Sequence, residues 1–143
     1  LIWNKIELIE KKAFYGLFSL RILYLEKNSL TRLEGNIFKD LTSLEKLYLT
    51  SNHLKFIEKN SFNNLLNLND LFINSNKLEF IKNNYFEKLF KLKSLILENN
   101  QISSIEKNSF RDLTSLNLLN LAENCISKID PSLFENLENL IYI

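Results

Sequence analysis

The chain has 143 residues, of which 45% are apolar and 24% charged, a composition of soluble globular proteins. Eighteen Lys and Arg stand against 17 Asp and Glu, so the net charge of +1 lacks the basic excess of an electrostatic nucleic-acid binder. The single Cys excludes an intrachain disulfide, the single His excludes a multi-histidine metal site, and no apolar run approaches a membrane span. With two Gly and one Pro, the chain has to turn by some device other than the usual breakers. It contains no Met and opens without a signal-peptide pattern, from which we expect a segment or processed piece of a longer protein.

Read in chain order, the sequence repeats itself every 24 residues without insertion or deletion. Asn4, Asn28, Asn52, Asn76, Asn100 and Asn124 form one column. Phe14, Phe38, Phe62, Phe86, Phe110 and Phe134 form a second, and Leu20, Leu44, Leu68, Leu92, Leu116 and Leu140 a third. Two further columns, Leu23, Leu47, Leu71, Leu95, Leu119 and Leu25, Leu49, Ile73, Leu97, Leu121, place apolar residues two apart. That alternation predicts a short strand in each period with one face inward, and stacking of successive periods into a parallel sheet. Each Asn follows its strand where the chain bends inward. A side-chain amide there carries donors and an acceptor, so it can pair backbone groups that the bend would strand. On that reading, Asn76→Ala costs about 1–3 kcal/mol. The Phe column fills the back of the coil, opposite the strands. One coil alone cannot bury its apolar side chains, so neighbours must share the burial.

The period Leu-x-x-Leu-x-Leu-x-x-Asn-x-Leu-x-x-Ile-x-x-x-x-Phe-x-x-Leu-x-x resembles the leucine-rich-repeat family, in the 24-residue form typical of animal extracellular proteins. The resemblance covers the whole chain. It departs from the family where Pro is common, since that column reads Glu10, Glu34, Glu58, Lys82, Glu106 and Asp130. The resemblance implies an α/β fold: a right-handed solenoid or horseshoe, with a parallel β-sheet on the concave face and loops or short 3-10 or helical turns on the convex side. About six coils are expected in one uncapped array. It divides into a partial repeat 1–19, repeats 20–43, 44–67, 68–91, 92–115 and 116–139, and a partial repeat 140–143. Raw apolar ends are avoided by solenoids, so the parent is expected to continue in both directions.

Function falls to the variable positions, because the fixed ones are consumed by the core. The central outward column reads Tyr24, Tyr48, Phe72, Ile96 and Asn120, and its first four members make an apolar stripe on the sheet. Lys46, Asp70, Asn74 and Glu98 flank it. An aromatic centre with a mixed polar rim is the anatomy of a protein-binding patch. Tyr and Phe also simply suit strands, which is the competing account. Two other apolar sets, Leu8, Phe56, Phe80 and Phe18, Leu66, Phe90, read as edge packing.

Candidates for chemistry fail on geometry. His53 and Cys125 share a column but lie 72 residues apart. Three coils separate their backbones by about 14 Å, outside the reach of a nucleophile and its base. Cys125 reads as a partly buried small hydrophobe and His53 as a surface residue. The acidic column Glu10, Glu34, Glu58, Glu106 reads as a solvated edge, with Lys11, Lys59 and Lys107 beside it. We therefore expect a non-catalytic module without cofactor or metal. It would bind a protein ligand or co-receptor, not nucleic acid, and would reach a membrane only through an anchor outside this segment. The expected location is extracellular or cell-surface. The rival is an intracellular scaffold or adaptor, favoured by the lone Cys and the absence of any Asn-x-Ser/Thr sequon. A third reading has the repeats as a docking array for a catalytic domain elsewhere.

Overall fold

The computed structural model describes residues 1–143. Five three-residue strands, one per period, are Ile22–Tyr24 (β1), Lys46–Tyr48 (β3), Asp70–Phe72 (β5), Ser94–Ile96 (β7) and Leu118–Asn120 (β9). They form one parallel sheet in the order β1-β3-β5-β7-β9, each strand paired with the next at a register of one period: Leu23 opposite Leu47, Leu47 opposite Leu71, and so on. The register follows from the period: a slip of one residue would turn the buried Leu of each strand outward.

A second set of strands was not foreseen. Arg32–Leu33 (β2) pairs with Phe56–Ile57 (β4), and Phe80–Ile81 (β6) pairs with Ser104–Ile105 (β8), both in parallel. These lie on the return path, where the sequence suggested only loops or helical turns. The helical half of the expected α/β class shrinks to one 3-10 turn, Pro131–Phe134, begun by Asp130 accepting from the Ser132 N–H at 2.9 Å. The architecture is therefore a parallel-strand β-solenoid of about four turns with almost no helix.

The core runs the length of the coil. Phe38, Phe62, Phe86 and Phe110 are fully buried and stacked, with ring centroids 6.2–6.3 Å apart. Leu and Ile columns close around them. The columns thin toward the ends, where Leu17 and Ile129 become exposed.

The inward bend rests on the asparagines. Asn76 donates to the Leu49 and Ile73 carbonyls at 3.0 Å each, and its Oδ1 accepts from the Leu54 N–H at 3.0 Å. Asn52 and Asn100 repeat the pattern one coil to either side, and Asn28 and Asn124 repeat it further out. Asn4 differs: it is exposed and donates only to Leu1 and Ile2 beside it. The residue before each Asn takes the left-handed conformation: Trp3, Lys27, Ser51, Ser75, Asn99 and Glu123 all have φ between 53° and 57°. For residues with a Cβ this costs about 1–2 kcal/mol each. The amide bonds that the turn makes possible offset that strain. This pairing of a left-handed residue with a buried Asn replaces Gly and Pro as the turning device.

The acidic column also has a structural part that a solvated edge does not describe. Glu58 accepts from the Gly35 N–H and Glu106 from the Asn83 N–H, both at 3.0 Å, tying one coil to the previous one.

Candidate functional site

The outer face of the five-stranded sheet is built from residues that alternate with the buried leucines. Each strand sends its first and third residues outward. Because the register is one whole period, equivalent residues stand directly beside one another. Tyr24 stacks on Tyr48 with centroids 4.8 Å apart, and Tyr48 on Phe72 at 4.6 Å with planes 3° apart. Those separations match the spacing of neighbouring strands, about 4.8 Å, so the backbone sets the stack. Tyr24 is exposed, while Tyr48, Phe72, Ile96 and Asn120 are half-buried. Tyr48 is covered on both ring faces, by Tyr24 and Phe72, while Tyr24, first in the stack, has a ring on one face only.

The flanking residues are tied to one another along the same rows. Lys46 and Asp70 form an ion pair of 3.0 Å on adjacent strands. The Asp70 carboxylate, first as hydrogen-bond partner and then as a charge, raises the Lys46 amine above its usual pKa. The Thr50 hydroxyl donates to Asn74 Oδ1 at 2.8 Å, and Asn120 Nδ2 donates to Glu98 Oε2 at 2.9 Å. All eight candidate residues, Tyr24, Tyr48, Phe72, Ile96, Lys46, Asp70, Asn74 and Glu98, thus belong to one outward face. Reading each column separately missed their pairing, although the spacing of 24 between Lys46 and Asp70 already contained it.

Further exposed features lie elsewhere. Phe18, Leu66 and Phe90 are each about half exposed, at 51–53%. Cys125 is exposed, not the partly buried hydrophobe expected, because its column falls just after the bend, where the side chain turns outward. His53 is likewise exposed. No group of three or more His, Cys, Asp or Glu side chains is placed to hold a metal ion. No helix is long and apolar enough to cross a membrane.

One irregularity breaks the solenoid. β4 and β6 do not pair, and a cleft of about 400 Å³ opens there between Phe56, Ile57, Phe80 and Tyr85. Position 85 holds Tyr where the coils before and after hold Ser61 and Ser109, whose hydroxyls donate to the Glu58 and Glu106 carbonyls. Tyr85 is 3% exposed and its hydroxyl, on the side of the Ile57 backbone, makes no well-formed hydrogen bond. Burial raises its pKa above the ordinary tyrosine value. Asn84 beside it also abandons the pattern: Lys12, Asn36, Asn60 and Asn108 of its column are left-handed, whereas in this coil the positive φ falls at Lys88.

The leucine rich repeat family profile matches residues 3–54, 42–102 and 90–143. The chain belongs to that family. Among solved structures, the chain resembles a component of the Toll–Spatzle complex of Drosophila, a hub in development and innate immunity. The TM-score is 0.82 at 21% identity, over 94% of this chain and 22% of that one. This chain therefore spans about a fifth of the length of that neighbour, and the likeness is one of fold. No curated protein matches the sequence.

Proposed function

We propose that this chain is a non-catalytic protein-binding module, part of an extracellular or cell-surface receptor or adhesion protein, and that it takes its ligand on the outer face of the five-stranded sheet. The observation that carries this reading is the Tyr24–Tyr48–Phe72 stack with its polar rows on either side. In this reading the repeats curve as a right-handed horseshoe with the sheet on the concave side. Aromatic anchors supply affinity, and Lys46, Asp70, Asn74 and Glu98 set specificity. The side chains are already held by their neighbours, so little ordering cost is paid on binding. The Toll–Spatzle neighbour, a repeat protein in complex with a protein, lends support from fold analogy. An intracellular scaffold is the second reading, favoured by the exposed free thiol of Cys125.

The test is a selection of a random dodecapeptide display library on the wild-type chain, followed by binding of the enriched peptides to the Tyr48→Ser, Phe72→Ser double variant. Enriched peptides that lose the double variant support the reading. Peptides that bind both chains equally overturn it.

A further inference from the structure

The sheet face is chemically uneven, and the unevenness bears on what it binds. Of its charges, Lys46 and Asp70 neutralise each other. The next outward row, just past the strands, reads Glu26, Thr50, Asn74, Glu98 and Ala122. Thr50 and Asn74 satisfy each other in its middle. Glu26 and Glu98 stand on either side of that pair, half-buried, and neither has a cation within ion-pair distance. The cation nearest in sequence to Glu26, Lys27, is turned away over the Trp3 ring, 3.8 Å from its centroid. Glu98 is drawn toward the aromatic line by Asn120, which sits in the same column as the stack. The face therefore presents a line of aromatic ring edges, with an unmatched carboxylate beside each end of it in the next outward row.

The spacing of those carboxylates is fixed by the solenoid. Glu26 and Glu98 are three coils apart, about 14 Å at the strand spacing. An extended peptide rises about 3.3 Å per residue and points alternate side chains to one side, so residues i and i+4 on that side are about 13 Å apart. A segment lying along the aromatic line runs about 7 Å from the carboxylate row, two residues further along each strand, so long basic side chains at i and i+4 reach sideways to Glu26 and Glu98. Residue i+2 then lies over the edges of Tyr48 and Phe72.

We infer that the partner of this face is an extended polypeptide segment of the pattern basic-x-apolar-x-basic, its two cations matched to Glu26 and Glu98. This rests on the sheet face being the binding surface, as proposed above. The ring geometry adds a restriction at the centre of the line: Tyr48 is covered on both faces, by Tyr24 and Phe72, so a ligand that needs an open ring face, such as a sugar or a flat guanidinium, gains less there than an aliphatic side chain packed on the edges.

The library selection described above tests it through a different readout, the composition of the peptides whose binding depends on Tyr48 and Phe72. Lys or Arg enriched at i and i+4 around an apolar residue is the expected result. Synthetic copies of those peptides should then lose about tenfold in affinity against the Glu26→Gln, Glu98→Gln double variant, the worth of two exposed ion pairs. The same binding should weaken as salt is added. Glu98→Gln keeps an acceptor for Asn120, and matched melting curves verify the fold. Stripe-dependent peptides without paired basic residues, or basic peptides indifferent to both Gln substitutions, overturn this inference and leave the binding face standing. If no enriched peptide depends on Tyr48 and Phe72, the binding-face reading falls, and this inference falls with it.

Discussion

Replacing Asn76 by Ala removes a side chain that is 7% exposed and makes hydrogen bonds on both sides of its coil. The losses are not equal. The Leu49 carbonyl also accepts from Asn52 at 3.0 Å, the Ile73 carbonyl from Asn100 at 3.1 Å, and the Asn74 carbonyl, bonded by Asn76 at 3.2 Å, from the Ser51 N–H at 3.1 Å, so each keeps one partner. The Leu54 N–H has no partner besides Asn76 Oδ1. One orphaned buried N–H costs about 1–3 kcal/mol, and three weakened carbonyls add about 1 kcal/mol between them. The expected loss is about 2–4 kcal/mol, about 1 kcal/mol above the figure reached from sequence, because the structure shows four backbone groups served by one amide. Urea unfolding followed by far-UV circular dichroism gives the total. Amide hydrogen exchange locates it: the Leu54 N–H should lose protection, while the Leu78 N–H, which donates to Asn100, should keep it. Asn4→Ala is the internal control. That side chain is exposed and bonds only within its own turn, so its loss should stay within about 0.5 kcal/mol. Equal losses at Asn4 and Asn76, or unchanged exchange at Leu54, would refute the account of how the chain turns.

Three further perturbations separate the forces in the fold. Phe62→Ala empties the middle of the buried ring stack between Phe38 and Phe86 and should cost about 3–5 kcal/mol in the same urea assay. A Cβ on Gly35 would sit 2.7 Å from the Lys59 carbonyl oxygen of the next coil, so Gly35→Ala should wedge the coils apart and cost about 1–3 kcal/mol, where a neutral result would mean the coils slide freely. Tyr85→Phe removes a buried hydroxyl that lacks a well-formed partner and should be neutral or stabilising by about 1 kcal/mol; a clear loss would reveal a bond to the Ile57 backbone. Its pH signature has a definite sign. Burial raises the folded pKa of Tyr85, so the folded state holds that proton more tightly than the unfolded chain does. Stability from this group is full below the unfolded tyrosine value, about 10, and is lost as pH rises through the folded one. Thermal melts at alkaline pH should therefore fall more steeply for the wild type than for Tyr85→Phe.

The parts of this molecule that could be read from sequence are those carried by side-chain identity at a fixed spacing. The buried Leu, Ile and Phe columns recur every 24 residues, and a burial pattern that regular admits few backbones. The left-handed residues before each Asn were invisible because Trp3, Lys27, Ser51, Ser75, Asn99 and Glu123 share no chemistry; only the backbone is common to them. The short pairs β2–β4 and β6–β8 were missed for a related reason: two residues are too few to show an alternation. The break at Asn84–Tyr85 lies between unbroken columns on either side, so the repeat hides it. Cys125 was misplaced because its small apolar side chain suggested burial, whereas the bend after Asn124 turns that position to solvent. For the sheet face, the residues of each column were evident, but their ties across coils, Lys46 to Asp70 and Thr50 to Asn74, emerge only when columns are read as stacked rows.

The central claim is that the outer face of the five-stranded sheet is where this protein binds. The direct measurement is a titration of the isotopically labelled chain with a peptide enriched on the wild type, following each backbone amide by NMR. The account predicts shifts concentrated at the strands around Tyr24, Tyr48, Phe72 and Ile96 and at the row from Glu26 to Glu98. Shifts confined to the Phe18, Leu66 and Phe90 edge, or to the cleft beside Tyr85, with the strand amides unmoved, would contradict it.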